Sequence, residues 1–444
     1  MSDFLKITFL LGLTLFFSNA CTPPPETPDP IMEVREDEEQ LSDLPFLKIS
    51  KDSLYNKVLG TLVGSAIGDA MGAPTEMWSR QQIKLEYGFV DSMDDMIREP
   101  SPEGTWDHNL AAGGTTDDTR WKVLLTNFMA NHANELYREK GPDPFEFATF
   151  LVDRYQEEID ALKRTEAFDP EPFEAQMRRL SWLQEWAVVA KPYSERDLTG
   201  YMDALHRFYG GEMVCAGMLY APMIGIPYPG APDLAYQSAF DLAIFDLGYA
   251  RDVTALTSAL VAAALPYEAS TLQVLSVLRS IDPQGYFKSR LVGRSTYRIF
   301  RDALSIVDQA KAVSGYQQVN FRITADRQDT LYLAQVHRAY ELLDQKIQDF
   351  PFHAGEIHLI NLVALLFSDF DFRKGLEFVV NYGRDNDTVA AVTGAILGAY
   401  HGFDKIPEDL KSPVLATNRE KLGIDLELMA NELSEMIIRQ GAVE

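Results

Sequence analysis

Asn381-Tyr-Gly-Arg-Asp-Asn-Asp-Thr388, running directly into Val389-Ala-Ala-Val-Thr-Gly-Ala-Ile-Leu-Gly-Ala-Tyr400, is the stretch from which the fold of this chain is read. Its second half is rich in alanine, and Gly394 and Gly398 stand one turn apart, so it predicts a helix with one smooth side. Its first half predicts the loop that enters this helix. That loop brings Asp385, Asp387 and the Thr388 hydroxyl to the helix N-terminus, where the dipole favours negative charge. Two carboxylates held close repel each other. A hard divalent cation, which takes carboxylate and hydroxyl oxygens, resolves that repulsion. The same residue types also make an ordinary N-cap, and the stretch alone leaves both readings open.

Gly113-Gly-Thr-Thr-Asp-Asp-Thr119 repeats the arrangement ahead of a second helical pattern, Arg120 to Met129, with Thr116, Asp117 and Asp118 all able to offer oxygen. Two such acid-bearing helix starts behind glycines read as two halves of a metal site. A third stretch, Gly60 to Glu76, places Gly60, Gly64, Gly68 and Gly72 at every fourth position. On a helix they form one stripe that lets another backbone approach. Each glycine costs roughly 1 kcal/mol against alanine in a helix, so the stripe needs a packing reason. Asp69 and Glu76 at its end also fit a solvated helix terminus.

Together the three stretches carry G-x-x-x-G-x-x-x-G-D-A-x-G-x-P-x-E, T-D-D-T and G-x-D-x-D-T, in that order. In this the chain resembles the ADP-ribosylglycohydrolase family over roughly residues 54 to 404. The resemblance implies an all-α fold, a single multi-helix domain with a di-metal centre, and two Mg2+ ions, or Mn2+ in their place. By it, Thr116, Asp117, Asp118 and Asp387 hold one ion, and Asp385, Asp387 and Thr388 the other, with Asp387 bridging. Glu76 matches an acid beside the second ion that acts in catalysis, and Asp117 or Asp118 assists it through water. One departure is visible. Where the family usually carries G-N-G-x-x-M-R, the stretch from Tyr209 keeps Gly210 and Gly211 but has Glu212 in place of the Asn-Arg grip. Gly210, Gly211 and Glu212 are therefore expected to bind an altered substrate, with Glu212 also readable as a carboxylate near a helix dipole.

The N-terminus reads as targeting sequence. Ile7 to Phe17 is almost wholly apolar but too short for a stable membrane span, and Ser18-Asn-Ala-Cys21 resembles a bacterial lipoprotein cleavage box. Residues 1–20 are thus expected to be a signal peptide, with Cys21 lipidated and the chain tethered to the cell envelope outside the cytoplasm. Residues 21–50 follow as a Pro-rich acidic spacer, including Glu33-Val-Arg-Glu-Asp-Glu-Glu39, and the domain as 51–444. The formal net charge of -26 excludes a nucleic-acid partner and leaves a small-molecule or glycosylated substrate. Cys215, the only other cysteine, reads as a small core residue.

The rest of the chain is helical pattern. Expected helices include 144–158, 172–190 with core-facing Trp182 and Trp186, 246–264 around a buried apolar run from Val253, and 426–439. Met77 to His108 is expected as a connection bordering the substrate cleft. Arg290, Arg294, Arg298 and Arg301 form a basic stripe that pairs with acids, and His353 and His358 lack the spacing of zinc ligands. The reading that results is a metal-dependent glycohydrolase acting on an N- or O-glycosidic bond at a ribosyl or related sugar. Its alternatives are a silent ligand-binding member, a di-metal phosphohydrolase and a purely structural metal.

Overall fold

The computed structural model describes residues 49–95, 110–132, 141–164, 170–314 and 330–439. The expectations for the signal, for Cys21, for residues 21–48 of the spacer and for residues 96–108 of the expected connection lie outside the described residues. The described residues belong to one unit, Phe46–Glu444. They are almost entirely helical. Among them no strand occurs, only isolated bridges at Ser79 with Gly383 and Val214 with His353, and no helix is long and apolar enough to cross a membrane. The longer helices run Lys51–Gly72, Asp117–His132, Pro144–Arg164, Pro170–Ser194, Pro232–Leu242, Ala250–Ala264, Ser295–Lys311, Thr330–Asp344, Ala354–Phe367, Phe372–Tyr382, Asn386–His401 and Leu426–Arg439.

The pairing that centres the fold is between Lys51–Gly72 and Asn386–His401. They run antiparallel, as the order of facing residues shows. A Cβ added at Gly60 would lie 2.5 Å from the Gly398 carbonyl oxygen, and one at Gly64, Gly68 or Gly72 would fall on the backbone of Gly394, Ala390 or Asp387. The fit is reciprocal, because Cβ atoms at Gly394 and Gly398 would fall on the carbonyls of Gly64 and Gly60. The packing reason that the glycine stripe demanded is therefore a partner backbone more than 300 residues away in sequence. Lys57 completes the contact. Its buried ammonium donates to the carbonyls of Ala399 (2.9 Å) and Tyr400 at the C-terminal end of the partner helix, where the dipole favours positive charge.

Around this pair lie helices that are apolar on nearly every side. Ala250–Ala264 and Ala354–Phe367 are buried along almost their whole lengths. The former begins later than its apolar pattern suggests. Gly248, at φ 55°, ends the preceding turn, so Asp246 stays outside the helix. Its buried carboxylate accepts from Gly217 N (2.8 Å) and from the Thr254 hydroxyl (2.6 Å). Two members of the basic stripe resolve differently. Arg294 is buried in a two-pronged pair with Asp252, 2.9 and 2.6 Å, and Arg298 donates to the Val292 carbonyl and the Ser295 hydroxyl. Trp182 and Trp186 both pack on Trp121, with centroids at 5.3 and 4.2 Å.

The glycine contact makes opposite predictions about one substitution. On helix propensity alone, Gly64→Ala stabilises by about 1 kcal/mol. Because the new methyl meets backbone that cannot rotate away, we expect a loss of at least about 2 kcal/mol instead, read as a lower urea midpoint with an unchanged slope.

Candidate active site

The antiparallel pairing brings the C-terminal end of Lys51–Gly72 onto the N-terminal end of Asn386–His401, and the two acid-bearing loops with them. They are stitched to each other. Met77 N donates to the Arg384 carbonyl (2.7 Å) and Arg384 N to the Trp78 carbonyl (2.9 Å). Both Met77 and Arg384 hold left-handed backbone, φ 63° and 68°, a conformation that costs a side-chain-bearing residue about 1–3 kcal/mol. The Asn386 amide adds bonds to the Thr75 hydroxyl (2.8 Å) and the Val380 carbonyl (3.0 Å). The Arg384 guanidinium is clamped on buried Glu356 at 2.7 and 2.9 Å.

The third loop is held by Asp69, which is fully buried rather than a solvated helix end. One carboxylate oxygen accepts from the Thr116 amide (3.0 Å) and hydroxyl (2.9 Å), and the other from the Thr119 amide (3.0 Å) and hydroxyl (2.5 Å). From the far end of the chain, Asn418 accepts from the Thr115 hydroxyl (2.5 Å) and donates to the Gly113 carbonyl (2.9 Å). Neither clamp was singled out from sequence, although Asp69 stands inside the quoted glycine motif.

Glu76, Asp385 and Asp387 are thereby gathered, all buried, with one carboxylate oxygen of each within 4.8 Å of the others. Asp117 and Thr388 line the same small cavity. Asp118 does not join that group of three. One of its oxygens pairs with buried Lys122 (3.2 Å) and the other accepts from the Thr388 hydroxyl (3.0 Å). The Thr116 hydroxyl is turned to Asp69. Of the residues expected to hold one ion, Thr116 and Asp118 are thus engaged with Asp69, Lys122 and Thr388, while Glu76 stands beside Asp385 and Asp387, the residues expected at the other.

Electrostatics follow from the burial. Asp387 is held well above the usual carboxylate range by desolvation and then by the charges of Glu76 and Asp118. Asp385 is pushed the same way by desolvation, Asp387 and Asp118. Asp69 rises to about 6, because burial and Asp118 outweigh its threonine donors and Lys122. Asp387 Oδ1 is buried without a hydrogen-bond partner. Clustered carboxylates that resist ionisation and an oxygen left unbonded fit a hard divalent cation, whose ligands are oxygens.

The other walls are aromatic and apolar: Trp186, Tyr209, Phe352, Val214, Cys215 and Leu219. Trp186, expected only as core, faces the cavity as well. Tyr209 has φ 45° and sits edge-on to Phe208 at 4.7 Å. The substrate-binding expectation for Gly210, Gly211 and Glu212 does not coincide with this wall. Gly210 and Glu212 are exposed, and none of the three lines the cavity. Glu212 follows a short 3-10 turn in extended backbone, at no helix start. The wall is formed a few residues later, from Val214 to Leu219, because Val214 is bridged to His353 and Cys215 N donates to the Phe352 carbonyl (3.0 Å).

Such a framework, helical throughout its described residues with buried carboxylates at the junction of three loops, defines an all-α domain with an acidic cavity. The chain belongs to the ADP-ribosylglycohydrolase family, whose model matches residues 50–442. It is similar to an uncharacterized protein, YegU, of Escherichia coli K12, with 24% identity over 377 residues, 82% of this chain and 93% of the relative. An uncharacterized protein of Archaeoglobus fulgidus is also 24% identical, over 363 residues, 80% of this chain and 90% of its own length. Among solved structures, one described as an ADP-ribosylglycohydrolase-related protein complex superposes with a TM-score of 0.49 at 20% identity, covering 87% of this chain and 99% of its own.

The Asp118–Lys122 pair supports the site from beneath. Lys122→Met strands a buried carboxylate, so we expect a loss of about 3–5 kcal/mol in chemical unfolding. Adding Asp118→Asn to it should return much of that loss, and strict additivity of the two changes would contradict the pairing.

Proposed function

We propose that this cavity is the active site of a divalent-metal-dependent glycohydrolase that cleaves an N- or O-glycosidic bond at a ribosyl or related sugar. The observation that carries the reading is the convergence of Glu76, Asp385 and Asp387 within 4.8 Å, buried on one cavity wall. Asp385, Asp387 and Thr388 would hold a Mg2+ or Mn2+ ion, and Asp117, which lines the same cavity, would share in a second. When bound, such a cation supplies Lewis-acid charge that orients a water or two neighbouring sugar hydroxyls.

The protein's own groups do the remainder. As the bond from the anomeric carbon to the leaving group breaks and the water oxygen bonds to that carbon, Glu76 would take the water's proton at its carboxylate and that proton would pass on to the leaving group, with Asp117, which lines the same cavity, assisting. Cleavage at the anomeric carbon builds positive charge on the sugar ring, which the surrounding carboxylates favour. Trp186, Tyr209 and Phe352 offer flat apolar surface to the leaving group and keep bulk water away. A cavity lined by both carboxylates and aromatic rings suits a sugar bearing a flat leaving group, a nucleoside or an ADP-ribosyl conjugate. The same proposal carries the N-terminal expectation forward, with Cys21 lipidated and the domain acting outside the cytoplasm on the cell envelope.

Release of free ribose or reducing sugar from ADP-ribosyl-arginine, ADP-ribosyl-serine, nucleosides and aryl glycosides tests the reading. We expect turnover of one class with Mg2+ or Mn2+, its loss in EDTA, and its loss in Asp385→Asn and Asp387→Asn. Undiminished turnover in either variant would refute it. A pH dependence follows from the raised carboxylates. A group whose folded pKa lies above its unfolded value binds more protons when folded, so stability falls as pH rises between the two. A cation removes that penalty. The rise in melting temperature with Mn2+ should therefore be larger at neutral pH than in mild acid, and a larger rise in acid would contradict the assignment.

A further inference from the structure

The basic stripe of the sequence is not spent on ion pairs. Residues 283–301 include no aspartate or glutamate, yet they hold Lys288, Arg290, Arg294, Arg298 and Arg301, in a chain whose formal net charge is -26. Among the described residues, Arg294 alone of these pairs with an acid, the buried Asp252. Lys288, Arg290, Arg298 and Arg301 are exposed. The acids that flank the stretch are engaged elsewhere. Asp282 accepts from the amides of Tyr286 and Phe287, both at 2.9 Å, and Asp302 pairs with Lys346 at 2.9 Å.

The same stretch exposes apolar surface. Residues 287–292 are exposed one after another, with Phe287 at 42%, Leu291 at 86% and Val292 at 56%. Leu291 is the most exposed large apolar side chain among the described residues. The stretch is a tip and not a hollow, since a Cβ added at Gly293 would meet nothing within 4 Å. It is also held in shape. Gly293 N donates to the Ser289 carbonyl (3.0 Å), and the Arg298 guanidinium donates to the Val292 carbonyl. Apolar side chains held out in water on a braced turn gain nothing from the domain's own core.

We propose that residues 287–292 form a contact surface for an anionic lipid bilayer. Phe287, Leu291 and Val292 would enter the headgroup layer, while Lys288 and Arg290 meet lipid phosphates and Arg298 and Arg301 add to the attraction from the helix Ser295–Lys311. Charge complementarity favours this occupant, because an anionic membrane surface attracts clustered Lys and Arg. Shape favours it too. A projecting tip needs a matching hollow in a protein partner, whereas a fluid headgroup layer receives separate apolar side chains and lets long cationic ones reach back to its surface. The contact is independent of the metal reading. It is also distinct from the lipid proposed at Cys21, for an acyl anchor tethers the chain without choosing which face meets the membrane, and this tip would choose it.

The test uses the full chain with Cys21→Ser, which removes the acylation site, and with Leu291→Cys carrying an environment-sensitive nitrobenzoxadiazole label. Cys215 is buried and stays unlabelled. A control chain carries the label at Leu428→Cys instead, an exposed position on Leu426–Arg439, the helix that packs on Lys51–Gly72 and Asp117–His132. Each is titrated with vesicles of phosphatidylcholine and phosphatidylglycerol in equal parts, and with phosphatidylcholine alone. Because the label reads the tip, vesicle binding through the apolar N-terminal stretch does not register as contact there. The expected result is a brighter, blue-shifted label at position 291 on the anionic vesicles and no change at position 428. The apparent affinity should fall at least about 10-fold on phosphatidylcholine alone, and as much in Lys288→Glu with Arg290→Glu. A label at 291 that stays in water on anionic vesicles overturns the proposal, as does an equal response at 428 or on the uncharged vesicles. A response that needs no vesicles and grows with protein concentration also overturns it, and makes the tip a contact between copies of this chain. The comparison of the two vesicles decides the matter even if the charge-reversed chain folds poorly.

Discussion

Everything at the site depends on two helix backbones touching. An antiparallel contact built on Gly60, Gly64 and Gly68 against Gly398, Gly394 and Ala390 leaves no room for a single methyl between the carbonyls. Ordinary helix pairs sit 8–10 Å apart because side chains interdigitate between them. Here the glycines remove that spacer, and the helices can approach only in the register that matches gap to gap. Register then becomes placement. Once Gly60 faces Gly398, Gly72 must face Asp387, and the loop bearing Glu76 must leave its helix beside the loop bearing Asp385. The helix propensity lost at these glycines is roughly 1 kcal/mol each. It is offset by close backbone packing and by the Lys57 ammonium seated on the carbonyls of Ala399 and Tyr400.

Backbone strain is present where the contact ends. Met77 and Arg384 are side-chain-bearing residues in left-handed backbone, and each is bonded to the turn that contains the other. Neither turn has a reason to adopt that shape alone. The reciprocal bonds, the Arg384 clamp on Glu356 and the Asn386 amide together over-determine it. The result aims Glu76 and Asp385 into one cavity rather than along their own loops. A flexible connection would let the two carboxylates swing apart and shed their repulsion, so the rigidity is what keeps the cluster clustered.

This explains which parts were legible in the sequence. The glycine stripe is local, every fourth residue, and its meaning as a smooth helix face could be read without a partner. The acids Asp385, Asp387, Asp117 and Glu76 were legible because their spacing behind glycine or at a helix end is also local. The clamp residues were not. Asp69 looks like any acid near a helix terminus until the threonines of a distant loop are folded over it, and Asn418 lies in a stretch with no motif at all. Cys215 and Trp186 were read as core because burial is the usual fate of such residues, yet a cavity inside a helical domain is walled by core residues. Gly210 to Glu212 misled in the opposite way. Glycines mark a turn, but the turn here is exposed, and the bridge to His353 puts the following residues on the wall.

The charge balance of the interior gives the remaining argument. Asp69, Glu76, Asp118, Asp385 and Asp387 are all buried around these loops, and Lys122 is the buried cation paired among them. Asp69 is satisfied by four donors, and Asp118 by Lys122 and Thr388. Those two acids therefore spend their charge on holding loops in place. What is left over sits on Glu76, Asp385 and Asp387, where desolvation and mutual repulsion drive the two aspartates towards protonation. A fold that only needed caps would have dispersed these acids or matched them with threonines, as it did at Asp69. Keeping them together, with no buried cation of the protein's own paired to Asp385 or Asp387 as Lys122 is to Asp118, costs stability. The divalent cation proposed for this cavity would recover that cost, which makes the arrangement intelligible as a site held open by the architecture that surrounds it.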